Sequence, residues 1–92
     1  MYPILIQFDK GHESSDAKRP RILEITANVV SATPDALQRV LKKEKDKINT
    51  WLLFGDAKIN VQFVESGELI ATGKYEFNIF AGRGNYEFKM ER

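Results

Sequence analysis

The amino-acid sequence predicts an α+β fold: one long amphipathic helix packed on an antiparallel sheet of about five strands, in the order β-β-α-β-β-β. Three observations carry this expectation. Apolar residues alternate with a period of two over residues 2–8 and about 21–30, and again in the last third of the chain. Between these regions lies a stretch with apolar residues at helical spacing, opened by Thr33-Pro34-Asp35. Turn formers then fall where a C-terminal three-stranded meander needs its hairpins.

The first strand is read from Tyr2, Ile4, Ile6 and Phe8, which alternate with Pro3, Leu5 and Gln7; a proline near the start suits an edge position. Residues 9–20 are polar, rich in turn formers and without hydrophobic period, and are expected to form a mobile surface loop. A second strand over about 21–30 places Leu23, Ile25, Ala27 and Val29 on one face. The pattern leaves open whether strand one pairs with strand two or with an end of the meander.

Thr33 can cap a free amide, Pro34 fits the first helical position, and Asp35 favours the helix dipole. Leu37, Val40 and Leu41 recur eleven residues later as Ile48, Trp51 and Leu52, close to three helical turns, so they share one face. A single helix of about twenty residues follows, longer than average, with Gly55 as its terminator. The segment Trp51–Phe54 could instead open a strand.

Strand three is expected to bury Ile59, Val61 and Phe63, and strand four, over about 68–80, to bury Leu69, Ala71, Tyr75, Phe77 and Ile79. Keeping both sets on one side demands an odd loop, which Glu65-Ser66-Gly67 supplies; Phe63 then faces Leu69 and Asn60 faces Thr72. The next hairpin demands an even loop. A two-residue turn at Gly82-Arg83 pairs Ile79 with Tyr86, Phe77 with Phe88 and Tyr75 with Met90, and sets Glu76 against Lys89 and Lys74 against Glu91 on the other face.

Size and composition bound the function. Ninety-two residues with 42% hydrophobic content make one domain, spanning 1–92, with one core. Fourteen Lys and Arg against thirteen Asp and Glu give a net charge of +1, so no global field draws the chain to nucleic acid or to an anionic membrane. The absence of cysteine excludes disulfides, thiolate metal sites and cysteine nucleophiles. The apolar start, Met1 to Ile6, is too short for a signal peptide or membrane span, and a cytoplasmic protein is expected.

No constellation for catalysis emerges. The single histidine lies in His12-Glu13-Ser14-Ser15-Asp16, an imperfect echo of a metalloprotease helix with aspartate for the second histidine and no third ligand, set in a loop. Gly82-Arg83-Gly84 is too short to cradle phosphate and precedes a strand rather than a helix. The expectation is therefore a non-enzyme, without metal, cofactor or small-molecule substrate.

Two binding readings remain. Leu5, Ile22, Val30, Ile70 and Phe80 fall on the sheet face that the helix leaves uncovered, and Leu53 and Phe54 at the helix end. Glu44 interrupts the helix's apolar stripe. Together they suggest an interface with another protein or a second copy. The leading expectation is a protein-binding module that acts stoichiometrically as inhibitor, adaptor or small structural subunit, self-associating, of a kind phages and mobile elements encode. The alternative is binding of RNA or single-stranded DNA through Lys18, Arg19, Arg21, Arg39, Lys42 and Lys43. Asp35 and Asp46, one turn from Arg39 and Lys42, dilute that surface. The aromatic-rich C-terminal third resembles a base-stacking platform, but four of its five rings, all but Phe80, fall on the helix-covered face and its lysines on the other.

Overall fold

A computed structural model describes residues 1–11 and 19–91. Strands β1 (Tyr2–Asp9) and β2 (Ile22–Val29) are followed by helices α1 (Pro34–Lys43) and α2 (Lys45–Leu52), and then by strands β3 (Phe54–Phe63), β4 (Leu69–Asn78) and β5 (Arg83–Met90). All strand pairs are antiparallel and the spatial order is β2-β1-β3-β4-β5. Strand β1 is therefore not an edge despite Pro3; it pairs with β2 on one side and β3 on the other. Strands β2 and β3 flank it and run parallel to each other, so the helical segment crosses over β1 to join them, as a connection between parallel strands of one sheet requires.

The alternation of side chains sorts as expected. Ile4, Ile6, Phe8, Ile25, Ala57, Ile59, Val61 and Tyr75 pack with Leu37, Leu41, Ile48, Trp51 and Leu52 in one core. The opposite sheet face carries Gln7, Glu24, Thr26, Lys58, Asn60, Lys74 and Glu76. Thr33 caps α1 by accepting from the Ala36 amide at 3.2 Å, and Pro34 occupies the first turn.

The helical segment departs from the expected single long helix. It divides at Glu44, whose backbone leaves helical geometry at φ −98°, ψ 11°. In a straight helix the apolar stripe would carry Glu44 toward the core, where an unpaired carboxylate is costly; across the break it is half-buried instead. Leu52 ends α2, and Leu53 takes φ 66°, ψ −59°, the sparsely populated classic γ-turn region, before the chain enters β3. Gly55 lies inside β3 rather than terminating the helix.

Two registers were also decided locally. Along most of β3–β4 the pairing is the expected one, with Asn60 opposite Thr72 and Val61 opposite Ala71. A bulge then shifts it, so that Gln62 rather than Phe63 meets Leu69. The extra residue, Ile70, turns inward and is fully buried, while Leu69 is exposed. In β4–β5 the two-residue turn is replaced by a four-residue loop, Ile79 to Gly82. Tyr75 therefore meets Tyr86, and Ala71 meets Met90. On the outer face Lys74 opposes Glu87, and Lys89 opposes Thr72. The amides of Ala81 and Gly82 bond the Asn78 carbonyl, the Phe80 amide bonds the Asn78 side chain at 2.9 Å, and Gly82 closes the loop at φ 66°.

Candidate functional site

The expected interface residues do not form one patch. Ile70 is core, contrary to its expected place on the uncovered face, because the bulge rotates it inward. Leu5 sits half-buried among Gln62, Thr26 and other polar residues of the outer face, and Ile22 lies at the start of edge strand β2. Val30 lies at the end where β1 begins, in a depression of about 570 Å³ shared with Tyr2, Pro3 and Phe63. Phe54 and Phe80 lie at the opposite end. Phe54 pairs with Asn78, the residue that opens the β4–β5 loop, and Leu53 precedes it.

That end carries the most exposed of the large apolar side chains among the described residues. Phe80 is 92% exposed, Phe54 65% and Ile79 50%. The loop bearing Phe80 and Ile79 is held by the Asn78 hydrogen bonds, so its rings stand on an ordered turn. A preformed apolar tip binds with a smaller ordering penalty than a floppy one.

A second feature lies on the helix side. Tyr75 and Tyr86 stack across β4–β5 with ring centroids 4.2 Å apart, and Phe77 and Phe88 continue the row in nearly parallel planes. The Tyr75 hydroxyl donates to the Asn49 side chain, which ties β4 to α2. The Tyr86 hydroxyl is buried beside it without a hydrogen-bond partner among the described residues. Burial pushes both phenols above their ordinary range, and for Tyr86 the neighbouring Tyr75 adds to the shift.

Above this row opens a cleft of about 510 Å³, lined by Tyr75, Tyr86 and Gly84 below and by Asp35, Gln38, Arg39, Lys42 and Lys45 from the helices. Among the described residues no carboxylate lies within ion-pair distance of Arg39, Lys42 or Lys45; Asp35 and Asp46, though one turn from Arg39 and Lys42, do not pair with them. Sequence reasoning missed this cleft and omitted Lys45 from the basic set. The aromatic row was placed correctly on the helix side, but whether the helices reach β5 is a matter of packing. They leave Tyr86, Phe88 and Met90 only half-buried.

The remaining basic residues are elsewhere. Lys18 lies outside the described residues, as do His12, Glu13 and Asp16 and most of the expected mobile loop. Arg21 pairs with Asp9 at 2.9 Å, and this bond, with the Gly11 amide, holds the Asp9 carboxyl below its usual range. Lys10 lies over the Trp51 ring at 4.7 Å and reaches the Arg19 carbonyl at 3.4 Å, while the Trp51 indole donates to the Pro20 carbonyl. Arg21 and the Arg19 backbone are thus engaged beside β1 and Trp51 and do not line the cleft that Lys42 lines, and Lys43 is exposed on α1.

Comparison with protein-family models, curated proteins and solved structures finds no match.

The outer face of the sheet offers a broad hollow of about 780 Å³ over Asp9, Asp56, Lys58, Asn60, Thr72, Lys74, Glu87 and Lys89. Its charges are interleaved. Lys74 bridges Asp56 at 3.0 Å and Glu76 at 3.1 Å, the Asp56 bond being the main reason its ammonium is held above the usual lysine range. Among the described residues no cluster of three or more metal-ligating side chains occurs, and no helix is long and apolar enough to cross a membrane.

Proposed function

We propose that this chain is a non-enzymatic protein-binding module, acting stoichiometrically as inhibitor, adaptor or small structural subunit, and that it engages its partner through the β4–β5 tip. The observation that supports this reading is Phe80, almost fully exposed on a hydrogen-bonded turn beside exposed Ile79, with Phe54 opposite the Asn78 that opens the turn. An aromatic anchor on a rigid projection has the form of an interface hot spot, which gains its energy by filling a partner's pocket. A photo-crosslinking amino acid at position 80, in the cells that express the protein, should give a discrete adduct with another protein. The same probe at Thr26 on the outer face should not. Absence of an adduct from position 80 would remove this reading.

A second reading, binding of RNA or single-stranded DNA, is favoured by the basic cleft over the aromatic row. Arg39, Lys42 and Lys45 bring positive charge to within one cleft of Tyr86, the combination that single-strand binders use. Binding of a fluorescent single strand should weaken steeply with salt and be lost on Arg39→Glu with Lys42→Glu. Indifference to both changes would eliminate the cleft.

A further inference from the structure

Strand β5 forms one edge of the sheet, and its backbone tells which groups are free. Met90 faces Ala71, and the Glu91 amide donates to the Ile70 carbonyl at 2.9 Å. The alternation of an antiparallel ladder therefore turns the N–H and C=O groups of Glu87 and Lys89 toward β4. Those of Tyr86, Phe88 and Met90 face outward. The side chains of these same three residues lie on the helix side and are only half-buried, because the helices stop short of β5. Among the described residues the edge thus has unpaired backbone groups along an apolar strip.

We propose that β5 pairs antiparallel with β5 of a second copy, with Phe88 on the two-fold axis, joining two sheets into one. Charge and strand overlap together select this register: an axis at Met90 would also set Lys89 against Glu91, but over fewer paired residues. With the axis at Phe88, each Glu87 meets the other copy's Lys89 on the outer face, Tyr86 meets Met90, and Phe88 meets itself. An axis at Tyr86 would set Arg83 against Lys89, and one at Glu87 would set two glutamates together, both unfavourable across a strand pair. The other edge, β2, carries Glu24 as its only charged side chain, with Ile22, Thr26 and Asn28 on the same face, so self-pairing there finds no complementary cation. Edge strands of soluble proteins are usually blocked by charge; on β5 the charges complement a second copy.

This inference gives a form to the self-association expected from the sequence and does not depend on the tip. The antiparallel arrangement carries the two β4–β5 loops to opposite ends of the joined strands and leaves both Phe80 rings open, so the dimer would present its tip twice.

Light scattering tests the pairing. The native chain should show a dimer whose mass persists at high salt, since backbone bonds and apolar burial carry it. Glu87→Lys and Lys89→Glu should each weaken the dimer about tenfold, since each turns two attractive cross-strand pairs into repulsive ones. The double exchange should restore it. Circular dichroism on each variant establishes that the fold survives. The chain has no cysteine, so Phe88→Cys gives an independent probe: mild oxidation should yield a disulfide-linked dimer, whereas Thr26→Cys should not. A monomeric native chain would overturn the proposal, as would a folded double exchange that stays monomeric or a Phe88→Cys chain that does not cross-link. The tip reading would be untouched by any of these outcomes.

Discussion

Tyr75 and Tyr86 stand directly opposite each other on β4 and β5, their rings stacked at 4.2 Å, yet among the described residues only Tyr75 has a hydrogen-bond partner for its hydroxyl. The asymmetry separates two otherwise similar side chains. Tyr75→Phe leaves the Asn49 side chain without its donor and should cost about 1 kcal/mol; Tyr86→Phe removes an unsatisfied hydroxyl and should be neutral or stabilising by up to about 1 kcal/mol. Denaturant unfolding, followed by the fluorescence of Trp51, reads both.

The same two phenols predict an alkaline limit. Their folded pKa values are raised by burial, so above the ordinary tyrosine range the unfolded chain releases protons that the folded chain retains. Their contribution is fully present below about pH 10 and is lost as pH climbs further, through the folded values. Melting temperature against pH should bend downward there, and Tyr86→Phe should reduce the bend.

At low pH the sign reverses. Arg21 lowers the folded pKa of Asp9, so the contribution of that pair is present above the unfolded value near 4 and is lost as pH falls through the folded one. Asp9→Asn should flatten the acid side of the stability profile. An unchanged acid limb would show the pair to be without consequence.

Gly73 is required by strand proximity. A Cβ there would collide with the Glu87 backbone carbonyl, which is fixed in the ladder and cannot move aside as a flexible side chain would. Gly73→Ala should destabilise the fold by about 2 kcal/mol or more, by forcing β4 and β5 apart. At Gly84 the clash is with the Tyr75 ring, so Gly84→Ala should also disturb the Tyr75–Asn49 bond.

Phe80→Asp, by contrast, should leave stability within about 0.5 kcal/mol of the native chain, because the ring contributes little to the core. Chemical denaturation of this variant separates a binding role for Phe80 from a structural one.

The β4–β5 hairpin shows how far the sequence could be read. Tyr75, Tyr86, Phe88 and Met90 were assigned to the helix side, and they lie there. Their partners were not found, because moving a hairpin by an even number of residues preserves every side-chain face. Hydrophobic alternation is therefore blind to the choice between a two- and a four-residue loop. Asn78, with its carbonyl and side chain both bonding loop amides, carried the missing signal. Ile70 failed for the complementary reason: a bulge inserts a single residue and breaks the parity on which the assignment rested.

The candidate surfaces divide in the same way. Phe80 and Phe54 were legible as apolar residues without a place in the core, and Arg39 and Lys42 as exposed helix cations. That Lys45 joins them above Tyr86 depends on the division of the helix at Glu44 and on how far the helices extend across the sheet.

Which side of each strand faces the helices outside the β4 bulge, where α1 begins, and the main register of β3 with β4 could all be read from the amino-acid order. These follow from local periodicity, capping and turn parity, all written within a few residues of one another. Only the tertiary structure decided that β1 lies between β2 and β3, that β5 is left as a half-covered edge, and that a basic cleft opens above it. Those outcomes depend on how separate elements share one core, and the pattern within any one segment carries no record of its neighbours.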